Sequence, residues 1–248
     1  MSNHPKVIIF DLDETLGYFT QFNILWNLLI NYANLNNLNI DNIFNQELFN
    51  NLLDLYPEFM RKSIYPILLY IKYKKMIGKC NNVFIYTNNQ CLGNWVELIK
   101  NYLEDKINYK LFDDVIKIYK IKDTIINELR TTNDKTFDDF IRCTNININS
   151  KLCMIDDNNF QIRKHNNVTY IKIIPYIYTL PFITLFSRFV NSNNYHIFTN
   201  NRSDFINYVI SKLDNKTIKY KKKIELDKRI DNINSRRIML KLQQFFSS

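Results

Sequence analysis

Unbroken apolar runs alternate along this chain with stretches in which apolar residues recur at helical spacing. Val7-Ile8-Ile9-Phe10, Val83-Phe84-Ile85-Tyr86 and Leu152-Cys153-Met154-Ile155 are continuous apolar runs, each followed at once by a polar turn. That is the pattern of parallel strands buried on both faces. Strands are predicted at 6–10, 83–86, 152–155 and 168–173, with short ones at 115–119 and 124–129. Helical patterning covers about 20–35, 44–56, 58–77, 92–105, 136–143, 181–191 and 202–213. Trp26, Leu28, Leu29 and Tyr32 form one stripe of the first of these. Strands alternating with helices predict an α/β fold with a doubly wound parallel sheet. Between Asp11 and Thr87 lie 75 residues, more than a crossover needs, which suggests a small helical insert over about 20–77.

The ends of the apolar runs carry the candidate chemistry. In open α/β sheets, ligands bind beyond the carboxyl ends of the strands. The first run delivers Asp11-Leu12-Asp13-Glu14-Thr15 to that edge. One carboxylate of such a pair can attack an electrophile while its neighbour handles a proton, and both can help hold a divalent cation. The third run ends in Asp156-Asp157-Asn158-Asn159, a second acidic edge. An Asp-Asp turn is ordinary in isolation. It gains weight from lying downstream of the first.

Asp11-Leu12-Asp13-Glu14-Thr15-Leu16 resembles the first motif of the haloacid dehalogenase-like (HAD) phosphohydrolases. Its wording is similar to the branch that dephosphorylates phosphoserine in the C-terminal domain of RNA polymerase II, the TFIIF-interacting and small C-terminal-domain phosphatases. The resemblance implies a HAD-like, Rossmannoid sheet and three further pieces in order: a strand ending in Thr or Ser, a lysine, and a strand ending in paired acids. Thr87, in Ile85-Tyr86-Thr87-Asn88-Asn89, has the right place to bind a phosphoryl oxygen, with Thr15 and Asn88 as companion substrate contacts. The same letters recur in Ile197-Phe198-Thr199-Asn200-Asn201, beyond the last acidic motif. Thr199 is therefore read structurally, as the end of a late strand and the cap of a helix through Asn207.

The resemblance also implies roles. Asp11 would be the nucleophile, and Asp13 the acid that protonates the leaving oxygen and then activates water. Asp11, the backbone carbonyl of Asp13 and Asp156 or Asp157 would hold Mg²⁺, which prefers octahedral oxygen ligands. A lysine would neutralise the nucleophile and the phosphoryl oxygens. Lys135, in Asp134-Lys135-Thr136-Phe137-Asp138, fits that place with a stretched Lys–Asp spacing; Lys122, in Ile121-Lys122-Asp123, and Arg142 remain open beside it. Gly17 and the Asn88-Asn89 pair depart from the C-terminal-domain phosphatases and bear on the substrate rather than on the chemistry.

Composition narrows the field. Among 248 residues only three are glycine, which excludes Gly-rich phosphate loops of the P-loop or dinucleotide type. Asn, Ile, Lys, Tyr and Phe dominate, as in products of AT-rich coding genomes such as those of large DNA viruses or some protists. Cys80, Cys91, Cys143 and Cys153 show no Cys-x-x-Cys spacing, so a structural zinc site is not expected. The start lacks a secretory core, and the apolar stretch 173–190 is broken by Pro175, Pro181 and Arg188. The expectation is an intracellular protein, cytoplasmic or nuclear, neither secreted nor inserted in a membrane.

The boundaries read as one catalytic domain over 1–215 and a basic helical tail over 216–248. From Lys216 to Lys241 ten Lys/Arg face three acids, which carries +7 of the chain's +9. Ile224, Ile230, Ile233, Ile238, Leu240 and Leu242 would give that tail its apolar side. A terminal helix packed on the domain is expected, with docking to an acidic partner or nucleic acid as the alternative. Three functions stay in play. The first is a Mg²⁺-dependent phosphatase of phosphoserine or phosphothreonine in protein. The second is the same chemistry on a nucleotide, a nucleic-acid end or a small metabolite. The third is a non-catalytic interaction protein on a HAD scaffold, disfavoured because every acidic position is intact.

Overall fold

The structure, a computed structural model, describes residues 4–91, 93–213 and 223–247. It is α/β, with a five-stranded parallel sheet flanked by helices. The strands are β1 (Lys6–Phe10), β2 (Asn82–Tyr86), β3 (Asp114–Ile116), β6 (Lys151–Asp156) and β7 (Val168–Lys172). A separate hairpin pairs β4 (Lys120–Ile121) with β5 (Thr124–Ile125). The sheet order is β3-β2-β1-β6-β7. Val7, Ile8, Ile9 and Phe10 sit at its centre and are fully buried, as a parallel strand covered on both faces must be.

This order contains a switch point. The chain builds outward from β1 through β2 to β3, then returns to the other side of β1 with β6 and β7. Phe10 pairs with Ile85 on one side and Ile155 on the other, so the ends of β1, β2 and β6 are level. Asp11, Thr87 and Asp156 therefore reach one edge of the sheet, where open α/β folds place their ligands.

The helices are α1 (Thr20–Leu35), α2 (Ile40–Ile43), α3 (Gln46–Leu53), α4 (Ile64–Met76), α5 (Trp95–Ile107), α6 (Phe137–Thr144), α7 (Phe182–Val190), α8 (Arg202–Leu213) and α9 (Glu225–Ser247). They divide between two compact units. Unit 1 comprises 1–17, 60–176 and 226–248; unit 2 comprises 18–59 and 177–225. These units do not coincide with the boundaries expected at 20–77 and 215. α4 belongs with the sheet, the insert gains α7 and α8 from beyond it, and most of α9 belongs to unit 1.

Unit 1 holds the sheet. Tyr86, Phe140, Met154 and Ile162 are among the side chains of the core beside it. α9 lies on this unit through a stripe of Asp231, Asn234, Ser235, Ile238, Leu242, Phe245 and Phe246. Lys6 Nζ donates to the Phe245 carbonyl at 2.8 Å, and the Phe246 ring meets Tyr70. The buried stripe differs in part from the apolar side expected from the sequence. Ile224, Ile233 and Leu240 are exposed, and polar Asn234 and Ser235 are buried because each finds a backbone carbonyl, of Ile174 and Lys62. The tail's first lysines, Lys216, Lys219, Lys221 and Lys222, lie outside the described residues.

Unit 2 is helical and rich in rings. Trp26 packs edge-on against Phe44 and Phe49, and Tyr32 against Phe205. Gln21 and Leu180 exchange two hydrogen bonds, and Arg188 grips Glu58 with both terminal nitrogens. These contacts join the 18–59 and 177–225 segments into one body. Among the described residues no helix is long and apolar enough to cross a membrane.

Three sequence expectations give way. The helix expected at 58–77 starts at Ile64, since Pro66 is tolerated only in a first turn and Met60 pairs with Gly17. The late strand expected at Ile197–Thr199 is a 3-10 turn over Asn193–Ile197, with Phe198 buried. The strand expected at 124–129 is only the two residues of β5, because the following apolar residues are exposed and the Ile126 and Asn127 N–H groups both turn to the one carbonyl of Tyr119 instead of continuing a ladder.

Candidate active site

All the site residues belong to unit 1. Asp11 extends the β1 ladder by one bond, its N–H donating to the Ile155 carbonyl at 3.0 Å. The chain then turns sharply. Glu14 adopts φ 58°, uncommon for a residue with a side chain, and its N–H donates to the Gly17 carbonyl at 2.7 Å. The turn directs Asp13 and Thr15 toward different partners.

Asp11, Asp156 and Asp157 converge, each offering a carboxylate oxygen within 4.8 Å of the others. The Asp156 carboxylate accepts the Asn158 N–H at 2.7 Å, which fixes the turn after β6. Thr15 donates its hydroxyl to Asp157 at 3.2 Å. Burial, then the charges of Asp11, Asp156 and Glu14, pushes the Asp157 carboxyl up to about 7. Burial raises Asp156 to about 6, against the pull of Lys135. Three carboxylates gathered out of water repel one another and call for positive charge.

Lys135 supplies one such charge. Its ammonium donates to Asp11 Oδ1 at 2.6 Å and Asp156 Oδ2 at 2.8 Å, and the side chain is 1% exposed. Burial on its own would lower its pKa. The charges of Asp11 and Asp156 outweigh that and raise it above the ordinary lysine range. Lys135 stands just before α6, where Thr136 caps the helix by accepting the Asp139 N–H, and its own carbonyl accepts from Ile162. The Phe160 ring lies 4.6 Å from the ammonium. Lys122 is elsewhere, in the β4–β5 turn at φ 51°, and Arg142 pairs with Asp139. Of the three basic candidates, Lys135 is the one that lies at the carboxylates.

Asp13 is held apart from that cluster. Its Oδ2 accepts from Asn89 Nδ2 at 2.7 Å. Burial pushes its carboxyl up to about 6; Asp11 and Glu14 add to the rise, while Asn89 and Lys135 oppose it. Thr87 lies at the end of β2, its hydroxyl accepting the Asn89 N–H at 3.0 Å, so this turn fixes both residues. Asn88 has other partners. Its side-chain oxygen accepts from Arg130 at 3.0 Å, and its amide donates to the Asn133 carbonyl. Those bonds occupy the side chain that the sequence offered as a substrate contact.

Three residues that sequence reasoning did not single out complete the site. Asn89 positions Asp13. Arg130, 1% exposed, donates to the carbonyls of Thr87, Lys117 and Asp134 as well as to Asn88, tying the β2 turn to the loop before Lys135. Arg61 holds the backbone of Glu14 and Thr15. The arginines carry no sequence signal, because a buried arginine reads like any surface one.

The donor set suits a hard divalent cation. Asp11, Asp156 and Asp157 are all oxygen donors, and one lysine leaves the group net negative. Comparison with family models, with curated proteins and with solved structures finds no match.

Proposed function

We propose that this protein is a Mg²⁺-dependent phosphatase of the HAD type, hydrolysing a phosphomonoester through an aspartyl-phosphate intermediate. One observation carries the reading: two carboxylates two residues apart are held in different environments. Asp11 faces a buried lysine and two further acids, whereas Asp13 faces an amide and has its pKa raised. A pair whose environments separate the two roles is the signature of nucleophile and acid.

In this reading an Asp11 oxygen attacks phosphorus, forming the P–O bond to Asp11 as the bond to the leaving oxygen breaks. Asp13 gives its proton to that oxygen. It then takes a proton from water, whose oxygen attacks phosphorus and releases Asp11 with inorganic phosphate. Lys135 keeps positive charge between Asp11 and Asp156 throughout, and Thr87 offers its hydroxyl from the end of β2. Asp11, Asp156 and Asp157 would hold Mg²⁺, which supplies charge neutralisation on the transferring group.

Phosphoserine or phosphothreonine in protein is the proposed substrate class, on the wording of the first motif, with a cytoplasmic or nuclear setting. Asp11→Asn tests the core of the proposal. Asparagine keeps the shape and cannot form the acyl phosphate, so hydrolysis of p-nitrophenyl phosphate should vanish with the fold intact. More than a few percent of wild-type turnover would overturn the nucleophile assignment. Phosphopeptides measured against nucleotides would decide the substrate class.

A further inference from the structure

Arg61 is among the largest fully buried side chains among the described residues, 1% exposed, and it is spent on backbone. Its Nε donates to the Thr15 carbonyl at 2.6 Å, and one terminal nitrogen donates to the carbonyls of Glu14 and Ile174. The Arg61 N–H donates to the Leu16 carbonyl at 3.0 Å, and neighbouring Met60 pairs with Gly17. The guanidinium also lies over the Tyr176 ring, and the Tyr176 backbone N–H donates to the Glu14 carbonyl at 2.8 Å.

Three stretches of unit 1 therefore meet on one cation: 14–17, 60–62 and 174–176. They are also where the chain leaves unit 1 after Gly17, re-enters it at Met60 and leaves it again after Tyr176. What they hold is the left-handed turn at Glu14. Without a glycine there, that conformation persists only where its surroundings over-determine it. The Glu14 carbonyl with two donors, and its N–H bound to Gly17, are those surroundings.

The consequence lies one residue to either side. Asp13 must meet Asn89, and Thr15 must meet Asp157. Both alignments require the backbone between them to keep its turn. A lysine at 61 would keep the charge but has no planar fork to reach three carbonyls at once.

We propose that Arg61 is a positioning residue for proton transfer: by clamping the Glu14–Thr15 backbone it keeps the Asp13 carboxyl where it can serve the leaving oxygen. The catalytic part of this inference rests on the phosphatase reading; the clamp itself does not.

The test compares wild type with Arg61→Lys and Arg61→Met in two measurements. Hydrogen exchange reads the clamp without any turnover. Amides of residues 14–17 should exchange at least about 10-fold faster in both variants, while those of β1, β2 and β6 keep their protection. Turnover reads the consequence. An alkyl phosphate, whose leaving oxygen needs a proton, should fall by about 100-fold in kcat with little change in KM. p-Nitrophenyl phosphate, whose leaving group departs without one, should lose much less in its first step, the initial release of p-nitrophenol, although the later hydrolysis of phospho-Asp11 that both esters share slows with it. Unchanged protection at 14–17, or equal losses on the two esters in the first step, would overturn the proposal. A wild type that hydrolyses neither ester would overturn the phosphatase reading, and the exchange result would then uphold or overturn the clamp by itself.

Discussion

Asn89 Nδ2 lies 2.7 Å from Asp13 Oδ2, so the second acid of the first loop is held by the β2 turn and not by the lysine that holds Asp11. Two carboxylates separated by one residue thus enter different electrostatic surroundings. The left-handed turn at Glu14 and the level ends of β1 and β2 make that separation possible.

Removing the acid should therefore spare the nucleophile. Asp13→Asn should slow hydrolysis of an alkyl phosphate by about 10²- to 10⁴-fold, the usual weight of a general acid. Phosphorylation of Asp11 by p-nitrophenyl phosphate should suffer less than its later hydrolysis, since only the second step needs a base. Pre-steady-state release of p-nitrophenol checks this. A burst should appear in the variant, and its absence would remove Asp13 from the second step.

Lys135→Met should damage both stability and turnover. Breaking a buried ion pair by removing one partner costs about 3–5 kcal/mol, because the remaining charge has no compensation. Here Asp11 and Asp156 would both be left facing each other. Denaturant unfolding without metal should show that loss, and added Mg²⁺ should restore part of it. A variant as stable as wild type would mean that the lysine does not balance the carboxylates.

Metal binding should depend on pH with a definite sign. Burial first, with like charge, raises Asp157 to about 7, and burial raises Asp156 to about 6. The metal-free folded protein therefore binds more protons than the unfolded chain in the mildly acidic range. Its stability should fall as pH rises from about 5 to about 8. Mg²⁺ must displace those protons, so the melting-temperature gain from a fixed Mg²⁺ concentration should grow over the same range. Chelator should silence turnover and Ca²⁺ should inhibit it, its larger and looser shell misplacing the reactants. A gain independent of pH would contradict binding at these carboxylates.

α9 should prove part of the fold. Phe246→Ala removes a buried ring from unit 1 and should cost roughly 3 kcal/mol. Truncation after Asn215 also removes Ile238, Leu242 and Phe245, and takes Asp231 away from Arg61, whose charge it favours. Thermal melting should shift down by several degrees or the soluble yield should collapse. An unchanged melting curve would show the helix to be an appendage.

The parts of this molecule legible in its sequence are those whose pattern has one physical cause. β1 and β6 are buried on both faces, so each reads as an apolar run, and their carboxyl ends must share an edge. Asp11 and the Asp156-Asp157 pair are legible at that edge, the pair only because it follows the first motif, since an Asp-Asp turn is ordinary in isolation. Lys135 is one candidate among 33 basic residues, because its burial is set by carboxylates 124 and 21 positions away. Arg61 and Arg130 are silent for the same reason: their partners are backbone carbonyls, which every sequence contains. Asn88 and Asn89 read alike as letters, yet the β2 turn points them to Arg130 and to Asp13. The second half of unit 2 is not legible because Gln21 and Leu180, which join its halves, are 159 residues apart.

Phosphorylation of Asp11 is the step on which the proposed mechanism turns, and a trapped adduct reads it. Asp13→Asn enzyme mixed with p-nitrophenyl phosphate and Mg²⁺, quenched in acid and digested, can be read by tandem mass spectrometry. One phosphoryl group should appear on the Asp11 side chain, absent when chelator is present and absent from Asp11→Asn, as the mechanism requires. Wild-type turnover with no adduct on Asp11, or an adduct on another residue, would contradict it.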